Sequence, residues 1–120
     1  MSMDSITRLH TGPRMSQAVV YGATIYLAGQ VADQAKGKSV GEQTREILAA
    51  IERLLDETGS DKTKILSTTI YLANIATFAE MNAVWDAWVP AGHAPARATV
   101  EAKLAAPVYT VEIACIAAKA

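Results

Sequence analysis

Two charged residues near the C-terminal end are the first candidates for chemistry. Arg97 lies two residues after Pro95, at the start of a predicted strand, and Glu112 lies between Val111 and Ile113 in the next one. A guanidinium can bind a carboxylate through two parallel hydrogen bonds. A carboxylate among apolar residues is rare unless it is paired or functional. Arg97 is therefore a candidate ligand for a small carboxylate, and Glu112 is a candidate functional acid.

Each of these two residues also has an ordinary structural interpretation. Arg97 can belong to an ion pair at the surface or between subunits. Glu112 can be neutralised by a neighbouring lysine or arginine. Sequence alone leaves both alternatives open.

Three uncharged residues complete the set of candidates. Gly29 weakens a strand unless another group approaches its backbone closely, although a bulge is the other explanation. Asn82 follows Met81 on a predicted helix, either as a ligand contact or as a residue at the boundary of the apolar face. Thr99 shares strand parity with Arg97, so its hydroxyl either faces the same pocket or is simply half-exposed.

No other catalytic pattern is present in the chain. The sequence contains no GxSxG, HExxH, P-loop or GxGxxG motif. Cys115 is the single cysteine, and His10 and His93 are isolated. These residues predict no internal disulfide and no metal site.

Length and charge exclude several classes of protein. A chain of 120 residues with 11 basic and 12 acidic side chains has no positive surplus to bind nucleic-acid phosphates. No apolar run approaches the roughly 20 residues that span a membrane, and the N-terminus lacks the apolar stretch of a signal peptide. We therefore expect a single cytoplasmic domain over residues 1–120, with no nucleic-acid or membrane partner.

The elements that must position the candidates follow from periodicity and capping. Predicted strands cover 18–21, 24–31, 65–72, 97–102 and 110–117. The first helix begins at a capping box of Ser39 and Glu42 and ends near Gly59. The second begins at a capping box of Thr77 and Glu80 and ends before Pro90. The predicted order is ββαβαββ, an α+β mixed sheet with two helices on one face.

Apolar residues have a further pattern that bears on assembly. The second helix carries one stripe that we assign to the core: Phe78, Met81, Trp85 and Trp88. Both faces of several strands are also apolar, yet two helices can cover one face only. The uncovered face predicts a closed homo-oligomer.

Several segments together resemble one known family. They are PARATVE at 95–101, VEI at 111–113, LAGQV at 27–31 and FAEMNAVW at 78–85. From about Gly12 to Ala118 the chain resembles the reactive intermediate deaminase family, RidA/YjgF. AVWDAWV at 83–89 with GHAP at 92–95 is more similar to the YoaB-like branch than to the archetypal deaminases.

The resemblance carries expectations for fold and function. It implies a chorismate-mutase-like α+β fold and a homotrimer with ligand clefts between subunits. It also implies hydrolysis of enamine and imine intermediates, such as 2-aminoacrylate, to a 2-oxo acid and ammonia, with a small carboxylate as substrate and without a cofactor.

Family roles then fall on the candidate residues. The family's ligand arginine falls on Arg97, which would bind the substrate carboxylate. Its water-positioning glutamate falls on Glu112, while contacts from Gly29, Asn82 and Thr99 would line the substrate site.

The sequence also departs from the archetypal pattern. Archetypal members have a cleft tyrosine after an N-terminal Gly-Pro, but here Gly12 and Pro13 are followed by Arg14. Ala28 stands where serine is common, and Thr99 occupies the small polar or cysteine position. Two alternatives therefore stay open beside the deaminase: a non-catalytic module that binds or senses 2-oxo acids, and an interaction protein that uses exposed apolar surface.

Overall fold

The computed structural model describes residues 5–120, which form six strands and two α-helices. The elements are β1 (Ile6–Leu9), β2 (Ala18–Tyr21), β3 (Thr24–Leu27), α1 (Val40–Glu57), β4 (Ile65–Leu72), α2 (Phe78–Trp88), β5 (Ala96–Glu101) and β6 (Val111–Ala118). All strands belong to one sheet in the order β1-β2-β3-β6-β4-β5. Only β4 and β5 pair in parallel, so the predicted mixed α+β sheet is confirmed.

The structure corrects the predicted element order at its start. An additional strand, β1, pairs antiparallel with β2, with Leu9 opposite Ala18. The order is therefore βββαβαββ. The four residues of β1 are too short a segment for alternation to be recognised, and three of them are exposed.

β3 is shorter than the predicted strand over 24–31. It ends at Leu27, and the next amide, of Ala28, donates to the carbonyl of Gln17. Gln30 then makes only an isolated bridge to Ile113 of β6. Gly29 thus lies just outside β3, where the chain passes close to β6.

α1 has the predicted ends and the predicted buried face. The Ser39 hydroxyl accepts a hydrogen bond from the Glu42 amide at 3.2 Å. The helix ends at Glu57, and Gly59 follows with φ of +81°, a conformation that glycine adopts at little cost. Its apolar stripe is buried against the sheet: Ile47, Leu48, Ile51, Leu54 and Leu55.

The capping box predicted for α2 does not form. The Thr77 hydroxyl donates to the carbonyl of Asn74, and Glu80 reaches the other helix, where its carboxylate accepts from the amide of Gly41 at 2.9 Å. Because Glu80 satisfies the first turn of α1, it joins the two helices instead of capping its own.

The predicted core stripe of α2 is only partly core. Met81 and Trp85 are buried, and Trp88 is half-buried. Phe78 is 39% exposed, so its assignment to the core is wrong. Phe78 is the first residue of α2, so its ring lies beyond the part of the helix that Met81 and Trp85 bury in the core.

The two faces of the sheet differ in cover. Every second residue of β6, and of β4 from Thr68 onward, is buried beneath the helices: Thr68, Ile70, Leu72, Val111, Ile113, Cys115 and Ala117. On the opposite face, Tyr26, Val100 and Ile116 are each more than a third exposed. The prediction that the chain leaves one apolar sheet face uncovered is confirmed. Neither helix of residues 5–120 is both long and apolar enough to cross a membrane.

Candidate functional site

Arg97 projects from the edge strand β5 toward α2. It pairs with Thr68 of β4, whose side chain is buried under the helices. One guanidinium nitrogen of Arg97 donates to the Asn82 Oδ1 at 2.7 Å. Its central carbon lies 5.3 Å from the centre of the Trp85 ring and 5.9 Å from that of Phe78. Among residues 5–120 no carboxylate forms an ion pair with this guanidinium.

The side chains around Arg97 come from one face of α2. Phe78, Asn82 and Trp85 are separated by four and three residues, the spacing that places helical side chains in one row. β5 follows α2 after a short connection and pairs only with β4. This connection places the row directly opposite the first residues of the edge strand.

Glu112 lies on β6, opposite Tyr71 of β4, and its carboxylate is packed against the backbone of Gly29. A Cβ atom at position 29 would lie only 2.2 Å from the Glu112 Oε2. Gln30 fixes this stretch through two backbone hydrogen bonds with Ile113, of 2.8 and 3.1 Å. The structure thus favours close approach, not a strand bulge, as the reason for glycine at this position.

An open cavity of about 470 Å³ lies beside Glu112. Its walls are Gly29, Tyr71, Ala114 and the connection over residues 102–105. This cavity offers a place for a small molecule next to the carboxylate, on the face of the sheet that the helices leave uncovered.

The connection before β6 is held by a residue that sequence reasoning missed. Gln43 of α1 is fully buried, and its amide nitrogen donates to the carbonyls of Val108 and Lys38. Its amide oxygen accepts from the backbone N–H of Thr110 at 2.9 Å. Gln43 lies four residues before Ile47 on the apolar stripe, so its place in the helix period was the available signal.

Arg97 and Glu112 lie on opposite faces of the sheet within one chain. Thr68 pairs with Arg97 on one side and with Cys115 on the other, whereas Tyr71 pairs with Glu112. Because residues 68 and 71 are three apart on one strand, their side chains point to opposite faces. The five predicted site residues therefore divide into two groups.

The first group contains Arg97, Asn82 and Thr99 on the helix side. Thr99 pairs with the buried Ile70, so the predicted shared face of Thr99 and Arg97 is confirmed. Its hydroxyl is buried and has no hydrogen-bond partner within residues 5–120. The second group contains Gly29 and Glu112 on the uncovered side.

Other titratable groups contribute little to either group. Within the part of the chain that the structure describes, no three His, Cys, Asp or Glu side chains are close enough to hold a metal ion. Cys115 lies between the sheet and the helices beside the Thr68 hydroxyl, and burial raises the pKa of its thiol to about 11. The thiol is therefore neutral near pH 7 and a poor nucleophile.

Comparison with known proteins gives a consistent assignment. The family model described as Endoribonuclease L-PSP matches residues 5–119. RutC family protein YoaB of Escherichia coli K12 is 44% identical over 114 residues, which are 95% of this chain and 98% of that protein. The 2-iminobutanoate/2-iminopropanoate deaminase of Rattus norvegicus is 32% identical over 107 residues, 85% of this chain and 77% of that protein.

The fold agrees with solved structures. The crystal structure of NMB1025 from Neisseria meningitidis, a member of the YjgF protein family, superimposes with a TM-score of 0.96 and 46% sequence identity. The match covers 99% of this chain and 98% of that one. Sequence and structure together show that the chain belongs to the RidA/YjgF family and is YoaB-like within it.

Proposed function

We propose that this protein hydrolyses reactive enamine and imine intermediates to 2-oxo acids and ammonia. Arg97 carries the proposal, because it is a half-buried guanidinium that no carboxylate of residues 5–120 neutralises. A charge held in this way is suited to an anionic ligand from outside the chain. A family relative named for deamination of 2-imino acids supports the same reaction class.

Arg97 binds and orients the substrate in this account. A guanidinium has five N–H donors, so the bond to Asn82 leaves several for a carboxylate. Two parallel hydrogen bonds fix the plane of the carboxylate and hence the position of the adjacent imine carbon. This carbon is already electrophilic, so orientation contributes much of what the reaction requires.

Glu112 supplies the base. An enamine first takes a proton at its terminal carbon and becomes the iminium. Water held by the Glu112 carboxylate then adds its oxygen to the iminium carbon and gives up one proton to the carboxylate. The resulting carbinolamine accepts this proton on nitrogen and expels ammonia, and loss of the hydroxyl proton leaves the 2-oxo acid.

A second copy of the chain completes the site. Within one chain the sheet separates Arg97 from Glu112. The two side chains meet only if another copy places its uncovered face against the edge strand β5. The exposed apolar residues of that face are suited to such an interface. We propose a homotrimer with three equivalent clefts, each formed by Arg97 of one subunit and Glu112 of the next.

The test is hydrolysis of an imine generated in the assay. An amino-acid oxidase releases 2-imino acids, and their decay is followed with and without this protein. We expect the wild-type protein to exceed the decay rate in buffer and Arg97→Ala to lose this increase while it remains folded. If the wild-type protein binds 2-oxo acids through Arg97 but accelerates no imine tested, it is a carboxylate-binding module and the enzymatic proposal is wrong.

A further inference from the structure

Within residues 5–120, the guanidinium of Arg97 is held by neutral groups only. Trp85 and Phe78 present their rings to it at 5.3 and 5.9 Å, and Asn82 accepts one of its hydrogen bonds. A partly buried arginine is most often held by a carboxylate, which would stabilise it more strongly. In the part of the chain that the structure describes, aromatic rings take the place of an acid.

This choice of neighbours has a chemical consequence. A carboxylate partner would occupy the paired N–H donors and cancel the positive charge. A ring attracts the guanidinium through its π electrons and leaves the hydrogen-bonding edge free. The Arg97 side chain is thereby restrained in position but keeps its charge for a ligand.

We propose that Phe78 and Trp85 are positioning residues that hold Arg97 ready for a substrate carboxylate without neutralising it. This inference depends on the proposed function, since it assigns a role within the same site. It also explains why Phe78 is 39% exposed at the start of α2: the ring faces the edge strand and not the core. Trp85 combines both roles, because it is buried in the core and also faces the guanidinium.

The exposed Phe78 provides the sharper test, because its replacement costs little core packing. Phe78→Leu keeps an apolar side chain but removes the ring, and Phe78→Tyr restores a ring. Trp88→Leu is the matched control, since Trp88 lies on the same helix and packs against Trp85 at 5.5 Å, but its own cation contact is with Lys62 at 5.3 Å. The dissociation constant for pyruvate is measured by calorimetry for each variant and for Arg97→Ala.

The expected order of affinities is specific. We expect Phe78→Leu to weaken pyruvate binding by about 3-fold to 10-fold, and to raise KM by more than it lowers kcat. Phe78→Tyr and Trp88→Leu should stay within about 2-fold of the wild-type protein. Arg97→Ala should abolish measurable binding.

Two different failures can be told apart. If Arg97→Ala binds pyruvate as well as the wild-type protein, the proposed function itself is wrong. If Arg97→Ala loses binding while Phe78→Leu binds normally, only the positioning role is overturned. A kcat loss with unchanged pyruvate affinity in Phe78→Leu would also contradict it.

A spectroscopic measurement tests Trp85 without removing it. In Trp88→Phe, Trp85 is the single tryptophan, since the chain contains two. Pyruvate should change its emission with a midpoint equal to the calorimetric dissociation constant, and the change should vanish when Arg97→Ala is added. Unaltered emission at saturating pyruvate would show that Trp85 does not sense the occupied guanidinium.

Discussion

Arg97 and Glu112 project from opposite faces of the same sheet, one beside α2 and the other beside Gly29. Arg97 is on the edge strand β5 and Glu112 is on the inner strand β6, and β4 lies between these two strands. No rotamer change can bring them to one side, because the sheet itself lies between them. A reaction that uses both must therefore be carried out by an assembly, not by an isolated chain.

Gly29→Ala should displace the base without unfolding the protein. The new Cβ would lie 2.2 Å from the Glu112 Oε2, so the flexible carboxylate must move. We expect imine hydrolysis to fall by about 10-fold or more, because misplacement of a catalytic group by about 1 Å is costly. Gly12→Ala is the control, since a Cβ there makes only ordinary contact at 3.7 Å with the Met15 carbonyl. Equal activity of both variants would contradict the role given to the Gly29 contact.

Glu112→Gln should separate rate from affinity. The amide keeps the size of the side chain but is not a base, so we expect a loss of about 10²-fold to 10⁴-fold in kcat. Binding of pyruvate, measured by calorimetry, should remain near that of the wild-type protein because Arg97 is intact. A variant that hydrolyses imines normally would exclude Glu112 as the base.

Gln43→Leu should loosen the connection that lines the Glu112 cavity. The substitution removes the Gln43 partner of the Thr110 amide, whereas the Val108 carbonyl keeps its hydrogen bond from the Gly37 amide. One unpaired part-buried group costs roughly 1–3 kcal/mol, so we expect about 1–3 kcal/mol less free energy of unfolding. The exposed Gln34→Leu is the matched control and should change stability by less than about 0.5 kcal/mol. Similar denaturation midpoints for the two variants, at one protein concentration, would show that Gln43 is not an anchor.

Cys115 should make stability depend on alkaline pH. Its pKa is raised to about 11 in the folded protein, so the unfolded chain loses the thiol proton first as pH rises. The folded state is then penalised between about pH 9 and 11, with a total loss of roughly 2–3 kcal/mol. Cys115→Ala has no thiol to titrate. The difference in free energy of unfolding between the wild-type protein and Cys115→Ala should therefore change by that amount between about pH 9 and 11. A difference independent of pH over this range would contradict the buried neutral thiol.

The sequence predicts most of the fold because its periodic segments are long. α1 shows both its capping box and its apolar stripe, and β4 is rich in β-branched and apolar residues. β1 is not predicted because its four residues, three of them exposed, show no clear alternation of apolar and polar side chains. The predicted α2 capping box does not form because the Glu80 carboxylate accepts a hydrogen bond from the Gly41 amide of α1 instead.

The candidate site residues can be named from the sequence, but their relative positions cannot. The apolar neighbours of Glu112 and the parity of Thr99 with Arg97 are each a property of a single strand. Such properties can be read from the order of residues in that strand. The opposition of Arg97 and Glu112 depends on the register of two strands against β4, and register follows from the whole sheet. The core prediction is wrong for Phe78 because helical spacing alone cannot distinguish a buried ring from one that faces a charge, whereas Trp85 is buried as predicted and also faces Arg97.

Mixing two inactive variants tests the shared site most directly. Arg97→Ala and Glu112→Gln are dissociated together, reassembled in equal amounts and assayed for imine hydrolysis. Each cleft needs an intact arginine from one copy and an intact glutamate from the next, so random assembly should restore about a quarter of wild-type activity. A mixed assembly that is no more active than either variant alone would contradict the account. Arg97 and Glu112 of one site would then have to come from the same chain.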